Sequence, residues 1–482
     1  MRKLALFVLG FSAAIFLCQY FLSGIIGIIL GAAAAIIVTL SMFFRSRPAV
    51  MLRIVSFGVA AGVLWNCAYD MIFIEQARTL SGYEGNVTAI VEDYPQPTEY
   101  GSKVEIKIPF ENKPDVRGVL YCYDGMKLCP GNIIKFNGEL LSTAEKTEND
   151  YFAAKGILLF AYAESDVEVK GSVAYSQVRY FHKNTANAVK ELISRVFPED
   201  ARAFMTAILT GDRSLLNEET YLLAVLSVSG AAHVVAVSGM HVAFLVSLLR
   251  MLFGKRPLAN ILCIPIVIFF MAMTGFSPSV VRAGVMQLIL LLGMLMRQEY
   301  DNLTSLSVAM LILLAANPVS VKNGGLQLSF AATLGIILFS GKLNDILIAS
   351  FDEGKRLGRL CRRRTGKRIV SFVCATAASS ASALVFTIPL TAVMFGHVSL
   401  IAPIVNILML WAVSFAFSVG VIVVLLGFIW PALAAAAAWI PTLLVMYIRG
   451  VVSLAAKLYK SAGICRSKFA VLSSCGDHAE VL

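Results

Sequence analysis

The chain has 482 residues, 58% of them hydrophobic, with a mean hydropathy of +0.77. Soluble domains sit nearer half apolar, so the composition excludes a soluble enzyme or regulator and indicates a polytopic membrane protein. The net charge of +11 is unevenly placed: residues 82–170 carry fifteen acidic and nine basic side chains, net −6, which leaves +17 for the rest.

Met1-Arg2-Lys3 opens onto an apolar run through Leu22, and Ser23-Gly24 leads directly into a second run ending near Phe44. That pattern predicts a helical hairpin rather than a cleaved leader. A third span follows at about 54–74. Basic residues cluster at Arg45, Arg47 and Arg53, and again at Lys355, Arg356, Arg359, Arg362, Arg363, Arg364, Lys367 and Arg368. The positive-inside rule places both clusters in the cytoplasm. They read first as topology signals and lipid-headgroup contacts, and secondarily as a surface for nucleic acid or a cytoplasmic partner.

The acidic segment after the third span is therefore extracytoplasmic. Asn86–Val91, Lys103–Ile108, Gly118–Tyr123 and Ile133–Leu140 are short and alternating, with turn residues between them. About five such strands suit a small barrel of the OB kind. Within it, Cys122 and Cys129 flank an Asp-Gly turn, a spacing that leaves a hairpin disulfide open in an oxidising compartment. The cysteines Cys18, Cys67, Cys263, Cys361 and Cys374 carry no pairing signal, and no zinc spacing occurs. Residues 175–196 mix apolar and basic positions at helical spacing, which predicts an amphipathic helix along the membrane interface.

From Pro198 a second apolar region begins, with seven to nine crossings expected. Two stretches in it are anomalous. In His233-Val-Val-Ala-Val-Ser238-Gly239-Met-His241, Ser238-Gly239 interrupts an apolar helix between two histidines. In Gly275-Phe-Ser277-Pro278-Ser-Val-Val-Arg282, Gly275 ends one helix and Ser277-Pro278 starts another. A helix beginning at mid-membrane presents its unpaired N–H groups and positive end to a cavity, and Arg282 one turn on suits phosphate or carboxylate. Ionisable groups at such depth are functional candidates by default. The blander alternatives are an Arg282 paired with an acid or with carbonyls, and an Asp212-Arg213 that serves as cap and ion pair. Gln327 and Ser329 add polar groups to another apolar run, most simply as interhelical bonds. Pro389, His397, Pro403 and Asn406 mark one more irregular region. The histidines lack a third ligand at helical spacing, so no metal or other cofactor is expected.

Together these landmarks resemble the ComEC/Rec2 competence family. Leu209-Thr-Gly211-Asp212-Arg213-Ser214 is similar to its Gly-Asp-Arg-Ser element. Ser229-Gly230-Ala-Ala-His233 through Ser238-Gly239-Met-His241 is similar to its Ser-Gly-x-x-His-(x)4-Ser-Gly-x-His signature. Thr274-Gly275-Phe-Ser277 with Arg282-Ala283, then Asn317-Pro318 and Gly325-Leu-Gln327-Leu-Ser329-Phe330, follow in the family's order. Gly138 through Asn149-Asp150-Tyr151-Phe152 and Lys155-Gly156-Ile157 resembles the end of its extracytoplasmic OB-like domain.

The resemblance implies a polytopic α-helical membrane protein with a small extracytoplasmic β (OB-like) domain inserted after the third transmembrane helix. The expected divisions are N-terminal helices at 1–75, the β domain at 80–170, the interfacial helix at 173–198, a channel domain at 199–460 and a tail at 461–482. It implies a plasma-membrane channel for single-stranded DNA, with the N-terminus cytoplasmic. Arg282, Ser277, Gly275, His233, Ser238, Gly239, His241, Gln327 and Ser329 would line its path, and Asp212, Arg213 and Pro278 would shape it. A cytoplasmic motor ATPase and an envelope DNA receptor are the partners expected, since no P-loop occurs here. A separate nuclease and a homo-oligomer are left open.

Many family members continue into a metallo-β-lactamase-like domain, and no His-x-His-x-Asp-His motif occurs in this sequence. No enzyme activity is therefore expected. Ser474-Cys-Gly-Asp-His-Ala-Glu resembles the opening of that domain, which leaves a natural short form and a truncated, non-transporting remnant both open. A reading from another class is an intramembrane serine hydrolase using Ser238 and His241.

Overall fold

The computed structural model describes residues 3–22, 24–98, 101–110, 113–122, 128–143, 150–164, 167–254, 257–353, 364–395, 399 and 401–461. Most of the basic 355–368 run, Cys361, His397, the Asp-Gly turn after Cys122, Asn149 and the tail from 462 onward lie outside them. Among the described residues, seven helices are long and apolar enough to cross a membrane: Lys3–Tyr20, Arg47–Thr79, Pro278–Met296, Gly324–Ser350, Val370–Phe395, Ala402–Ile429 and Pro431–Leu458. Shorter apolar helices run Ile26–Ser41, Gly239–Phe253, Pro257–Met273 and Asn302–Ala316. The protein is a multi-pass membrane protein with one small β domain.

The chain folds as two compact units. The first joins Met1–Asn187 to Gly284–Gln327, and the second joins Ala188–Ala283 to Leu328–Leu482. The stretch 199–460 contributes to both units, with 284–327 packing in the first. The reason is visible in particular bonds of the first unit: Trp65 Nε1 donates to the Leu314 carbonyl, and Phe11, Ile15, Leu314 and Val321 share one apolar cluster. Segmentation by hydropathy cannot see such long-range pairing.

In the first unit, the helices Lys3–Tyr20 and Arg47–Tyr69 meet through glycines. A Cβ on Gly10 would fall 2.2 Å from the Val55 carbonyl oxygen, and one on Gly58 2.2 Å from that of Phe7. Only small residues permit backbones so close, which in lipid is the main source of helix association. The third helix continues through a π-turn at Asp70–Ile74 and a last turn at Glu75–Thr79 into the β domain.

Seven strands form that domain: β1 Tyr83–Val91, β2 Gln96–Thr98, β3 Gly101–Ile108, β4 Val116–Cys122, β5 Asn132–Ser142, β6 Leu159–Ala163 and β7 Glu168–Ser172. Pairing runs β1–β3–β4–β6–β5, and β5 returns to β1, so five strands close on themselves. The β4–β6 pair is parallel and its neighbours antiparallel. This is the OB-like barrel, with β2 and β7 as short additions outside it. Val87, Ala89 and Val91, then Val104 and Ile106, then Ile134, Phe136 and Leu140 fill the core by strict alternation. Gly138 breaks the series because a Cβ there would fall 2.0 Å from the Tyr162 carbonyl oxygen. Cys122 is buried on β4 with its thiol toward the Ser102 carbonyl, whereas Cys129 is exposed, and no disulfide joins them.

The helix expected along the interface is Phe181–Val196. Its apolar stripe, Ala186, Val189, Ile193 and Val196, is buried within the protein, and Leu192 lies against Gly427. Protein rather than lipid covers this face, so its amphipathic pattern records packing. In the second unit the buried helix Glu199–Thr210 packs Met205 against Gly420 of Ala402–Ile429.

Candidate functional site

Ser238-Gly239 does interrupt the chain. A short helix Ala232–Val235 ends at Ala236 in extended conformation, Ser238 is extended, and the next helix runs Gly239–Phe253. The 80° helical-wheel angle expected between the two histidines therefore does not apply. His241 takes the N3 place of a capping box: its Nδ1 accepts from the Ser238 backbone N–H at 3.1 Å, and the Ser238 hydroxyl lies 3.3 Å from the same nitrogen. The ring is fully buried, edge-on to Phe417 with centroids 5.1 Å apart. Its Nε2 has no protein partner. The Ser238 N–H and the Phe417 ring together fix the orientation of this imidazole.

His233 is held by its own turn, Nδ1 lying 3.1 Å from the Gly230 carbonyl oxygen. The His233 side chain is exposed. Gly230 has a φ of +75°, and a Cβ there would meet Ala402 at 2.7 Å and Ser399 at 3.0 Å. The Ser229-Gly230 turn is thus seated on the start of Ala402–Ile429, a continuous helix whose first turns hold Pro403 and Asn406.

In the second stretch one helix ends at the Gly275 turn and another starts at Pro278, as the sequence predicts. Gly275 (φ +75°) and Phe276 end the helix Pro257–Met273 as a Schellman turn, with Phe276 N–H donating to Met271 and Gly275 N–H to Ala272. Ser277 then accepts from the amides of Val280 and Val281, and Pro278 opens a helix to Met296. At 19 residues that helix is a full span by itself. Its first turn follows directly on the Gly275-Phe276 turn that ends the preceding helix.

Arg282 is central. Its Nη1 donates to the Ser329 carbonyl and the Thr333 hydroxyl on the helix Gly324–Glu353, while its buried Nε has no protein partner. Gly239 lies beside it: a Cβ at 239 would come 2.8 Å from Nη2 and 2.9 Å from the Ala283 Cβ. The two anomalous stretches therefore meet, with Ser329 and Thr333 as the third side. Thr333 was missed by the sequence reading, although its i, i+4 spacing from Ser329 on an apolar helix was the available signal. Gln327 is engaged elsewhere, its amide donating to the Tyr20 hydroxyl at 2.7 Å and the Val321 carbonyl at 2.8 Å in the first unit.

Further polar atoms in the second unit lack protein partners: Ser382 Oγ, Ser399 Oγ and Asn406 Oδ1. Buried groups of this kind are ordinarily satisfied by water or ligand. Asp212 forms an ion pair with Lys190 at 2.7 Å and accepts from the Ser214 N–H at 2.9 Å, while Arg213 precedes the turn Ser214–Glu218. Burial pulls the Asp212 carboxyl upward, but Lys190 and the Ser214 bonds outweigh it and hold it below the ordinary carboxylate value. Gly211 (φ +82°) rests on Thr274, which brings this loop onto the Gly275 turn. Among the described residues no three His, Cys, Asp or Glu side chains gather as a metal site.

A family model described as Competence protein matches residues 208–473, more than half of the chain. Among curated proteins, ComE operon protein 3 of Bacillus subtilis (strain 168) is 29% identical over 178 residues. That alignment covers 36% of this chain and 23% of the relative, so the matched part spans about a quarter of the curated protein's length. No solved structure matches.

Proposed function

The chain belongs to the competence protein family, and from that membership we propose that it is a plasma-membrane channel admitting single-stranded DNA to the cytoplasm during natural transformation. The observation that carries this reading is the uncancelled charge of Arg282. Its guanidinium is held by a carbonyl and a hydroxyl, both neutral, and no Asp or Glu occurs anywhere from Thr220 to Met296. A fixed positive group in a region free of carboxylates attracts a polyanion, most strongly where water is scarce. The orphaned polar atoms of His241, Arg282, Ser399 and Asn406 would be met by water along the path, and His233 would line it.

In this proposal the β domain is extracytoplasmic and the basic 355–368 run cytoplasmic. An envelope receptor delivers DNA, a cytoplasmic motor ATPase pulls it, and any cutting of the second strand falls to a separate nuclease. The protein itself carries out no catalysis, and assembly of several copies is compatible with the path.

Uptake of labelled DNA in cells lacking the native protein tests the proposal. Arg282→Ala should reduce uptake about 30-fold, the effect of losing roughly 2 kcal/mol of buried charge-assisted binding, with Arg282→Lys intermediate. Uptake by Arg282→Ala equal to that of the parent overturns the assignment. The serine-hydrolase alternative predicts instead that a serine-reactive probe labels the parent and not Ser238→Ala.

A further inference from the structure

Outside this site, the first unit holds two thiols at one level on neighbouring helices. The helices Lys3–Tyr20 and Arg47–Tyr69 are parallel, since rising positions on one meet rising positions on the other: Gly10 meets Val55, Ala14 meets Gly62, and Gln19 Nε2 donates to Asn66 Oδ1 at 2.7 Å. Cys18 and Cys67 adjoin that last bonded pair, one residue before Gln19 and one after Asn66. The helix Gly24–Ser41 runs antiparallel to both. Its Gly31 would place a Cβ 3.0 Å from Val63, and Gly27 would place one 3.3 Å from Cys18 Sγ. One turn along each helix from the Gly31–Val63 contact brings Cys67 to the level of Gly27. Cys18 therefore stands beside a residue with no side chain, Cys67 lies at the same level, and each is only partly buried. The two thiols lie within electrostatic range of each other and of Asp70.

We infer that Cys18 and Cys67 form a reversible dithiol–disulfide pair that staples the first and third helices beneath the β domain. Oxidation joins the two Sγ atoms, releases two protons and passes two electrons to a disulfide oxidant, which leaves as two thiols. Gly27 gives the linked sulfurs room, and the Gln19–Asn66 bond fixes the helix separation there. Since the third helix continues through the π-turn into β1, the staple would set how firmly the β domain is anchored. The transport reading enters only in supplying an oxidising compartment on that side.

The test uses the full chain in native membranes, treated with glutathione disulfide, alkylated, digested and mapped by mass spectrometry. A linked peptide pair holding Cys18 and Cys67 is expected. It should vanish with dithiothreitol and be missing from Cys18→Ser and Cys67→Ser, and the parent should resist heat aggregation better oxidised than reduced. Both thiols remaining alkylatable after oxidation, or either joined only to glutathione or another cysteine, overturns the inference. Because the added oxidant replaces the compartment, this result is independent of DNA uptake: a staple with no uptake leaves the pair standing, and uptake without a staple removes it alone.

Discussion

Gly239 lies directly against the Arg282 guanidinium, with room for no Cβ between them: the added carbon would sit 2.8 Å from Nη2 and 2.9 Å from the Ala283 Cβ. The first residue of one helix is thereby the floor on which the cation of another rests. Gly239→Ala should displace Arg282 from Ser329 and Thr333 without unfolding the protein, since overpacking of this kind costs about 1–3 kcal/mol. Labelled-DNA uptake should fall about tenfold, as roughly 1.4 kcal/mol implies. Gly341→Ala, at a helical glycine with nothing within 4 Å, is the control and should leave uptake unchanged. Equal losses in both variants would show that helix propensity, and not the Arg282 contact, is responsible.

His241 is predicted to act as a cap. Glutamine is a natural N3 partner in a capping box, so His241→Gln should preserve both folding and uptake. His241→Leu leaves the Ser238 N–H without its acceptor, at a cost of about 1–3 kcal/mol. Thermal stability of the detergent-extracted protein should thus drop for leucine and hold for glutamine. An uptake loss in His241→Gln with unchanged stability would instead give the imidazole a role in transport.

The parts of this protein legible in its sequence are those governed by local physics. Alternation at Val87, Ala89 and Val91 announces a strand, and Ser238-Gly239 announces a break, because each depends on neighbours a few residues away. What remained hidden depends on distant partners. Nothing near Asn317 indicates that it bonds the helix at 150–154, and nothing near Asp212 singles out Lys190. The apolar stripe of residues 189–196 reads the same whether lipid or Gly427 covers it. Ser277-Pro278 announces a helix start in the same local way as Ser238-Gly239 announces a break, and a helix does begin at Pro278.

Asn317 should act as a latch on the β domain. Its Nδ2 donates to the Ala153 carbonyl at 2.9 Å and the Ala154 carbonyl at 3.3 Å, closing the end of the helix Asp150–Ala154, while its Oδ1 accepts from the Val319 N–H at 2.9 Å. Asn317→Asp keeps the acceptor and loses both donations. Hydrogen exchange at the amides of Lys155, Gly156 and Ile157 should quicken several-fold in that variant, with strands β1 and β5 unaffected. Unchanged exchange at all three would mean that the apolar packing around Phe152 and Phe160 suffices to hold the helix.

The Asp212–Lys190 pair sets a pH dependence whose sign follows from the lowered carboxyl. Unfolded aspartate titrates near about 3.9, and the folded Asp212 below that, so the native state holds fewer protons there as the medium acidifies. Its stabilising contribution is complete above the unfolded value and is lost as pH falls through the folded one. Asp212→Asn should therefore melt lower than the parent at neutral pH, and the gap should close as the pH is taken below about 4. Melting curves of the two proteins in detergent between neutral and acid pH supply the comparison. A gap that stays constant across that range would show that the asparagine is harmful for a reason other than charge, such as loss of the Ser214 N–H contact.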